Sequence, residues 1–262
     1  MFEVDVHLPR SAFTPREVAR AGDIWRAFQE IAVAGSTLAG WPPARYREER
    51  LNFIVRTMTV VHAREAVYGE AFRGRTWAAG IRRGMFFQRE CRLDAPDGAV
   101  ARTTQHWVLV SADVKPMRGP ASLVDAFVEE DLDAEVVLPD GVETLAGTPT
   151  HAFELECWHT WMDPLAHVNH PVYVDWCDEG ISRVLAARGV DPAQIVPVAE
   201  RVQFRDGVVA GQTCRVETRL AGRAGDVAVF EHRVRSGDRE CARATTHRRL
   251  LGASDLLRHF VE

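Results

Sequence analysis

Apolar residues recur at helical spacing twice along the chain. The first stretch, DIWRAFQEIAVAGSTLAG, puts Ile24, Ala27, Phe28, Ile31, Gly35 and Leu38 near one face, the stripe that an amphipathic helix buries. The second puts Tyr173, Trp176, Cys177, Gly180, Ile181, Val184 and Leu185 on one face without a miss. Each stretch carries a glutamate, Glu30 or Glu179, and reaches a glycine ten residues later, Gly40 or Gly189. A glycine there suits a left-handed C-cap. For the first helix a second start competes, because Thr14-Pro15-Arg16-Glu17 reads as a capping box. For the second, Pro171 suits the first turn, where its missing N–H costs nothing. Asn169 or His170 then falls at the N-cap.

After each helix come strand-like runs. LNFIVRTMTVVHAREAVYGEAFRGRTWAAGI precedes MFFQRECRLDAPDGAVARTTQHWVLVS, and AERVQFRDGVVAGQTCRVETRLAGR precedes VAVFEHRVRSGDRECARATTHRRLL. Both second members carry a hairpin signal at the same place, Asp97-Gly98 and Ser236-Gly237-Asp238. Both then run into a related strand, ARTTQH and ARATTH, where Arg102 matches Arg243 and His106 matches His247. The order, spacing and local sequence describe a duplication: a long helix followed by an antiparallel sheet, twice. One helix on one such sheet leaves an edge uncovered, and two units joined edge to edge share a continuous sheet. The expected class is α+β with two pseudo-symmetric halves, residues 1–118 and 151–262. Between them the acidic, Pro- and Gly-containing segment reads as a solvated linker over 119–150, with a short helix at 122–127.

Composition is that of a globular protein: 262 residues, 46% hydrophobic and 26% charged. A net charge of -5 argues against a nucleic-acid partner. No apolar run approaches a membrane span, and the start MFEVDVHLPR lacks the pattern of a signal peptide. Five scattered cysteines with no CxxC suggest reduced thiols, neither a disulfide framework nor a metal site. The expectation is a cytoplasmic protein without membrane attachment, cofactor or metal.

Candidate chemistry gathers in WMDPLAHVNHPVYVDWCDEG, residues 161–180. Asp163 and His167 precede the second helix, whose first backbone amides carry partial positive charge. A carboxylate, an imidazole and backbone donors converging on a carbonyl are the parts needed for acyl-transfer hydrolysis. The competing reading is structural: Asp163 and Asn169 satisfy turn and cap amides, with His167 between them.

The same stretch resembles the signature of hotdog-fold thioesterases, an Asp followed by His-Val-Asn-Asn, a Tyr and an acidic residue. FRGRTWAAGIRRGMFFQRECRLDAPDGAVARTTQHWVLVSADVKPMR in the first half is similar to acyl-ACP thioesterases in particular. The resemblance implies a tandem (double) hotdog, two long helices each wrapped by an antiparallel sheet. It implies a thioesterase releasing fatty acid from acyl carrier protein or CoA in lipid metabolism, with a homodimer as the expected assembly. It assigns catalytic roles to Asp163, His167 and Asn169, and to Asp206 as the acidic residue on the strand after the helix. His170 stands where the family has its second Asn, and Leu165 where plant-type members have a further Asn. A hotdog hydratase or dehydratase, whose motif spaces Asp and His one residue wider, and a non-catalytic acyl-binding module are the alternatives. The offsets that relate Glu179 to Asp163, His167 and Asn169 lead from Glu30 to Thr14, Val18 and Arg20. One active site per chain is therefore expected, in the second half, with the first half supplying much of the acyl pocket.

Other residues have weaker claims. Trp77, Phe86, Phe87 and Trp107 could line an acyl tunnel or simply fill the core. Arg82-Arg83 and Arg248-Arg249 could meet an acidic carrier or a phosphate. Tyr173 reads as core, Glu179 as a solvated face, and no cysteine has an evident base beside it.

Overall fold

The computed structural model describes residues 1–251 and 256–261; position 262, the expected end of the second half, lies outside the described residues. The elements are β1 (Phe2–Val6), α1 (Ala21–Leu38), α2 (Pro43–Glu48), β2 (Leu51–His62), β3 (Phe72–Arg82), β4 (Phe86–Ala95), β5 (Gly98–Ser111), α3 (Ala121–Val124), β6 (Glu143–Thr144), β7 (Thr150–Glu156), α4 (Val172–Ala187), β8 (Ile195–Phe204), β9 (Thr213–Ala224), β10 (Val227–Ser236) and β11 (Arg239–Leu250). All described strands join one antiparallel sheet in the order β1-β3-β4-β5-β2-β8-β11-β10-β9-β6, with β7 also on β9. Read outward from the middle, the two sides use the same sequence of strands. The seam is the β2–β8 pair, from Thr57↔Gln203 to Val61↔Ala199.

The long helices form where the apolar stripes lie. Ile24, Phe28 and Ile31 on α1, and Tyr173, Cys177 and Ile181 on α4, are buried. Glu30 and Glu179 are exposed, the latter paired with Arg183. Gly40 and Gly189 take left-handed φ values of 82° and 72° after the helices. Each helix also needs a glycine against the sheet. A Cβ on Gly35 would meet Thr76 at 2.4 Å, and one on Gly180 would meet Thr218 at 2.3 Å. The two helices touch where Asp175 bonds Arg26 and fills the space beside Gly22.

Three expectations are corrected. Thr14–Glu17 does not cap α1: Thr14 N–H donates to Val18 O, and Glu17, at a positive φ of 61°, donates back to Thr14 O. The residues form a closed turn, and α1 starts later, at Ala21. The segment between the halves is not merely solvated. Its helix is Ala121–Val124, and Leu123 and Phe127 pack with Trp41, Phe87 and Leu109. Further on, Val136 N–H donates to Thr104 Oγ1, beside the buried Glu90. Arg248 is no docking residue, because its side chain is fully buried.

Arg248 belongs to an ionic network beneath the helices at the seam. It donates to Glu200 and, at 2.8 Å, to Asp178 of α4. Glu200 on β8 also accepts from Trp25 Nε1 of α1 at 3.0 Å and bonds His62 Nε2 of β2 at 2.9 Å. Burial alone would raise the Glu200 pKa, but His62 and Arg248 hold it below the usual carboxylate range. Removing one member of such a set strands its partners' charge in low dielectric. Arg248→Met is expected to cost about 3–5 kcal/mol of stability, read as a shift in the urea midpoint. A shift near zero would mean that the network is dispensable.

Candidate active site

The approach to α4 is a closed turn. Met162 and Val168 form a bridge, and Asp163 N–H donates to His167 O at 2.7 Å. Ala166 sits at φ 59°, letting the chain reverse within five residues. Asp163 Oδ1 accepts from Leu165 N–H at 2.8 Å and from His167 N–H at 3.3 Å. Its other oxygen accepts nothing from the described residues. The structural reading of Asp163 therefore accounts for one of its two oxygens.

A second loop meets this turn. Val168 N–H donates to Val208 O at 2.8 Å, so residues 205–211, after β8, lie alongside it. Gly207 is where they touch: a Cβ there would stand 2.6 Å from His167 Cδ2. The imidazole of His167 lies against this glycine and bonds none of the described residues. Asp206, the neighbouring residue, faces the same cavity, but its carboxylate is paired with Arg239. Asp163, His167 and Asp206 thus line one cavity.

Asn169 does not join them. Its side chain is absent from the cavity lining, and its buried Oδ1 has no hydrogen-bond partner. Nor does it cap α4, which has no side-chain cap. Pro171 already has helical dihedrals, -63° and -25°. The chain turns early, and Val172, Tyr173 and Val174 donate to the carbonyls three residues back, those of Asn169, His170 and Pro171. The helix tip expected to hold an oxyanion has spent these donors on its own backbone. The Gly207 N–H donates to none of the described residues and adjoins His167, which makes it the better candidate donor. Its signal in the sequence was only a glycine after Asp206.

His170 also has a place in the cavity. It is buried, its Nε2 has no partner, and it lines the cavity among Trp25, Trp107 and Phe204. Burial, with the charge of Arg26 adding to it, pushes its pKa down to about 3, so the ring is a neutral imidazole at ordinary pH.

The cavity has a volume of about 940 Å³ and draws on both halves of the chain. Phe86, Phe87 and Trp107 line it, as does Trp41; Trp77 instead faces a separate pocket of about 240 Å³. Cavities of this size take small organic ligands, with a few polar groups fixing orientation. The corresponding turn of the first half repeats the hydrogen bonds of the second. Thr14 bonds Val18 as Asp163 bonds His167, and Arg20 donates to Ala12 as Asn169 does to Trp161. Thr14 Oγ1 accepts from Arg16 N–H as Asp163 Oδ1 accepts from Leu165. Thr14 and Val18 stand where the second half has the Asp163 carboxylate and the His167 imidazole.

Residues 157–253 match the model of the thioesterase-like superfamily. The fold of the whole chain is that of solved thioesterases. A Lactobacillus plantarum protein assigned provisionally as an oleoyl thioesterase superposes with a TM-score of 0.80 at 17% identity, over 95% of this chain and 96% of the other. The 12:0-ACP thioesterase of Umbellularia californica gives 0.74 at 16%, over 95% and 97%. An acyl-ACP thioesterase of Bacteroides thetaiotaomicron gives 0.74 at 13%, over 94% and 97%. No curated protein matches the chain significantly. No helix among the described residues is long and apolar enough to cross a membrane.

The depressed pKa of His170 makes a prediction. The unfolded chain binds its proton near the ordinary value of 6.5 and the native state only near 3. Stability should fall as pH drops through that window, by about 1.4 kcal/mol per pH unit for this group. His170→Phe should flatten the dependence of Tm on pH between these limits; an unchanged slope would show that the ring is not held neutral.

Proposed function

We propose that the chain is a double hotdog acyl thioesterase, built from units at 1–118 and 151–262 joined by residues 119–150. It would hydrolyse a fatty acyl thioester carried on acyl carrier protein or CoA. The observation that carries the reading is His167: a ring without a protein partner, set on Gly207 at the polar end of a cavity that is otherwise largely aromatic and apolar.

In this reading the acyl chain lies among Trp41, Phe53, Phe87 and Trp107 and the thioester carbonyl rests near Gly207. His167 takes a proton from water as the water oxygen attacks the carbonyl carbon. Asp163, anchored through one oxygen, holds that water or the imidazolium with the other. The Gly207 N–H donates to the oxyanion of the tetrahedral intermediate. When the C–S bond breaks, His167 returns the proton to the departing thiolate, leaving a fatty acid and a thiol. Asp206 is a supporting acid at the rim, restrained by Arg239. Asn169 contributes through its backbone to the turn. Arg47 and Arg56 also line the cavity and have no ion-pair partner among the described residues, so they suit the phosphate of a carrier arm.

Three tests bear on this. Asp163→Asn, which keeps the turn acceptor, and His167→Ala should each lower kcat on acyl thioesters by at least about 100-fold. Arg20→Ala, in the first-half turn, should leave it unchanged. Thiol release and enoyl absorbance followed together separate a hydrolase from a dehydratase; binding without either product would identify an acyl-binding module. Gly207→Ala should displace His167 and lower kcat about 100-fold, the usual effect of a misplacement near 1 Å, with the melting temperature retained. Full activity in this variant would remove His167 from the mechanism.

A further inference from the structure

Arg89 of β4 is out of place in an acyl pocket. It is only 9% exposed, yet no carboxylate lies within ion-pairing distance among the described residues. Its guanidinium donates to Ala32 O of α1 at 2.7 Å and to Ser36 Oγ at 3.2 Å, and it stands 5.0 Å from the centre of the Phe127 ring. These contacts leave donors unused and the charge uncompensated. Buried charges are ordinarily paired, because desolvating one costs several kcal/mol. Burial pushes the Arg89 pKa down, and no carboxylate acts against that shift.

Polar groups near Arg89 also lack partners. Tyr46 Oη, beside Ser36, is buried and completes no hydrogen bond. Gln105 faces Arg89 across the β4–β5 ladder; its Oε1 accepts from Trp107, and its Nε2 is buried without a partner. Arg89, Ser36 and Tyr46 all line the cavity that contains His167. Arg89 also borders the 240 Å³ pocket, where the one carboxylate, that of Glu130, is bonded to the amino group of Met1.

The donors lie away from the reacting end. Arg89 is on β4, whereas Phe204, next to the Asp206–Gly207 loop, ends β8. Strands β5 and β2 lie between them. Three inter-strand steps are about 14 Å. The aromatic rings fill the path between an anion-seeking end and a hydrolytic end.

We propose that Arg89, with Tyr46, forms a subsite for a carboxylate at the far end of the acyl chain, so that the preferred substrate is an ω-carboxyacyl thioester. The word substrate rests on the thioesterase reading; the subsite itself does not. A carboxylate there accepts from the guanidinium fork and from Tyr46 Oη, and supplies the missing counter-charge. A chain ending in a methyl group would leave the charge uncompensated and the remaining donors unmet.

The test is calorimetric titration with a straight-chain fatty acid and the dicarboxylic acid of equal length, alongside hydrolysis of the two matching CoA thioesters. Wild-type protein should bind the dicarboxylic acid at least tenfold more tightly, and its thioester should show the lower KM. Arg89→Met should abolish or reverse the preference while sparing kcat on the plain acyl thioester. Tyr46→Phe, which removes a single oxygen, should weaken only the dicarboxylic acid, and it decides the question should Arg89→Met not fold. Equal or tighter binding of the monoacid by wild type, or a preference that survives in the folded variants, overturns the proposal. Failure to hydrolyse either thioester overturns the thioesterase reading alone, because the binding preference is measured independently.

Discussion

Glu200 sits at the seam of the sheet with no exposure to solvent, and elements from both halves converge on it. Trp25 of α1 and His62 of β2 reach it from the first half; Arg248 of β11 reaches it from the second and links it to Asp178 of α4. Ionic groups this deep contribute little net stability, but they tolerate no misalignment, since a shifted strand would leave a bare charge. The β2–β8 pair has only a short register of backbone bonds. The network links that register to both helices, and the cavity is built on residues from both sides of it.

The two sides of the sheet present approach turns of the same backbone pattern but with different side chains. The two share backbone hydrogen bonds down to the residue at positive φ, Glu17 in one and Ala166 in the other. The scaffold of the turn therefore does not require Asp163 or His167; Thr14 and Val18 serve as well. What distinguishes the second turn is its neighbour. Gly207 leaves room for an imidazole, and the cavity opens beside it. The first half contributes instead α1, α2 and the aromatic strands β2, β4 and β5, which wall the space.

In the proposed mechanism Asp163 would combine a structural and a chemical role. One carboxylate oxygen satisfies turn amides, which orients the group and leaves the other oxygen available. Holding a reactive group through its own backbone neighbours removes rotamer freedom before any ligand arrives. His167 has no such anchor on its ring and is positioned by packing against the Gly207 backbone.

Much was legible in the sequence because it is encoded locally. Helical stripes, the two hairpin turns, the closing glycines and the repeat itself follow from spacing over a few residues. The concentration of Asp163 and His167 before α4 was equally visible. Spacing could not reveal which side chains lose their water. Arg248 and Arg249 are adjacent in sequence, yet one is sealed into the seam and the other pairs at the surface with Asp226. Arg89 gave no signal among many strand arginines. Asn169 looked like a cap until Pro171 turned the chain early and the backbone capped itself. Burial and partnership depend on which strands become neighbours, and those contacts join residues far apart in the chain; only the assembled sheet brings Glu200 to Arg248, Gly207 to His167 and Arg89 into the cavity.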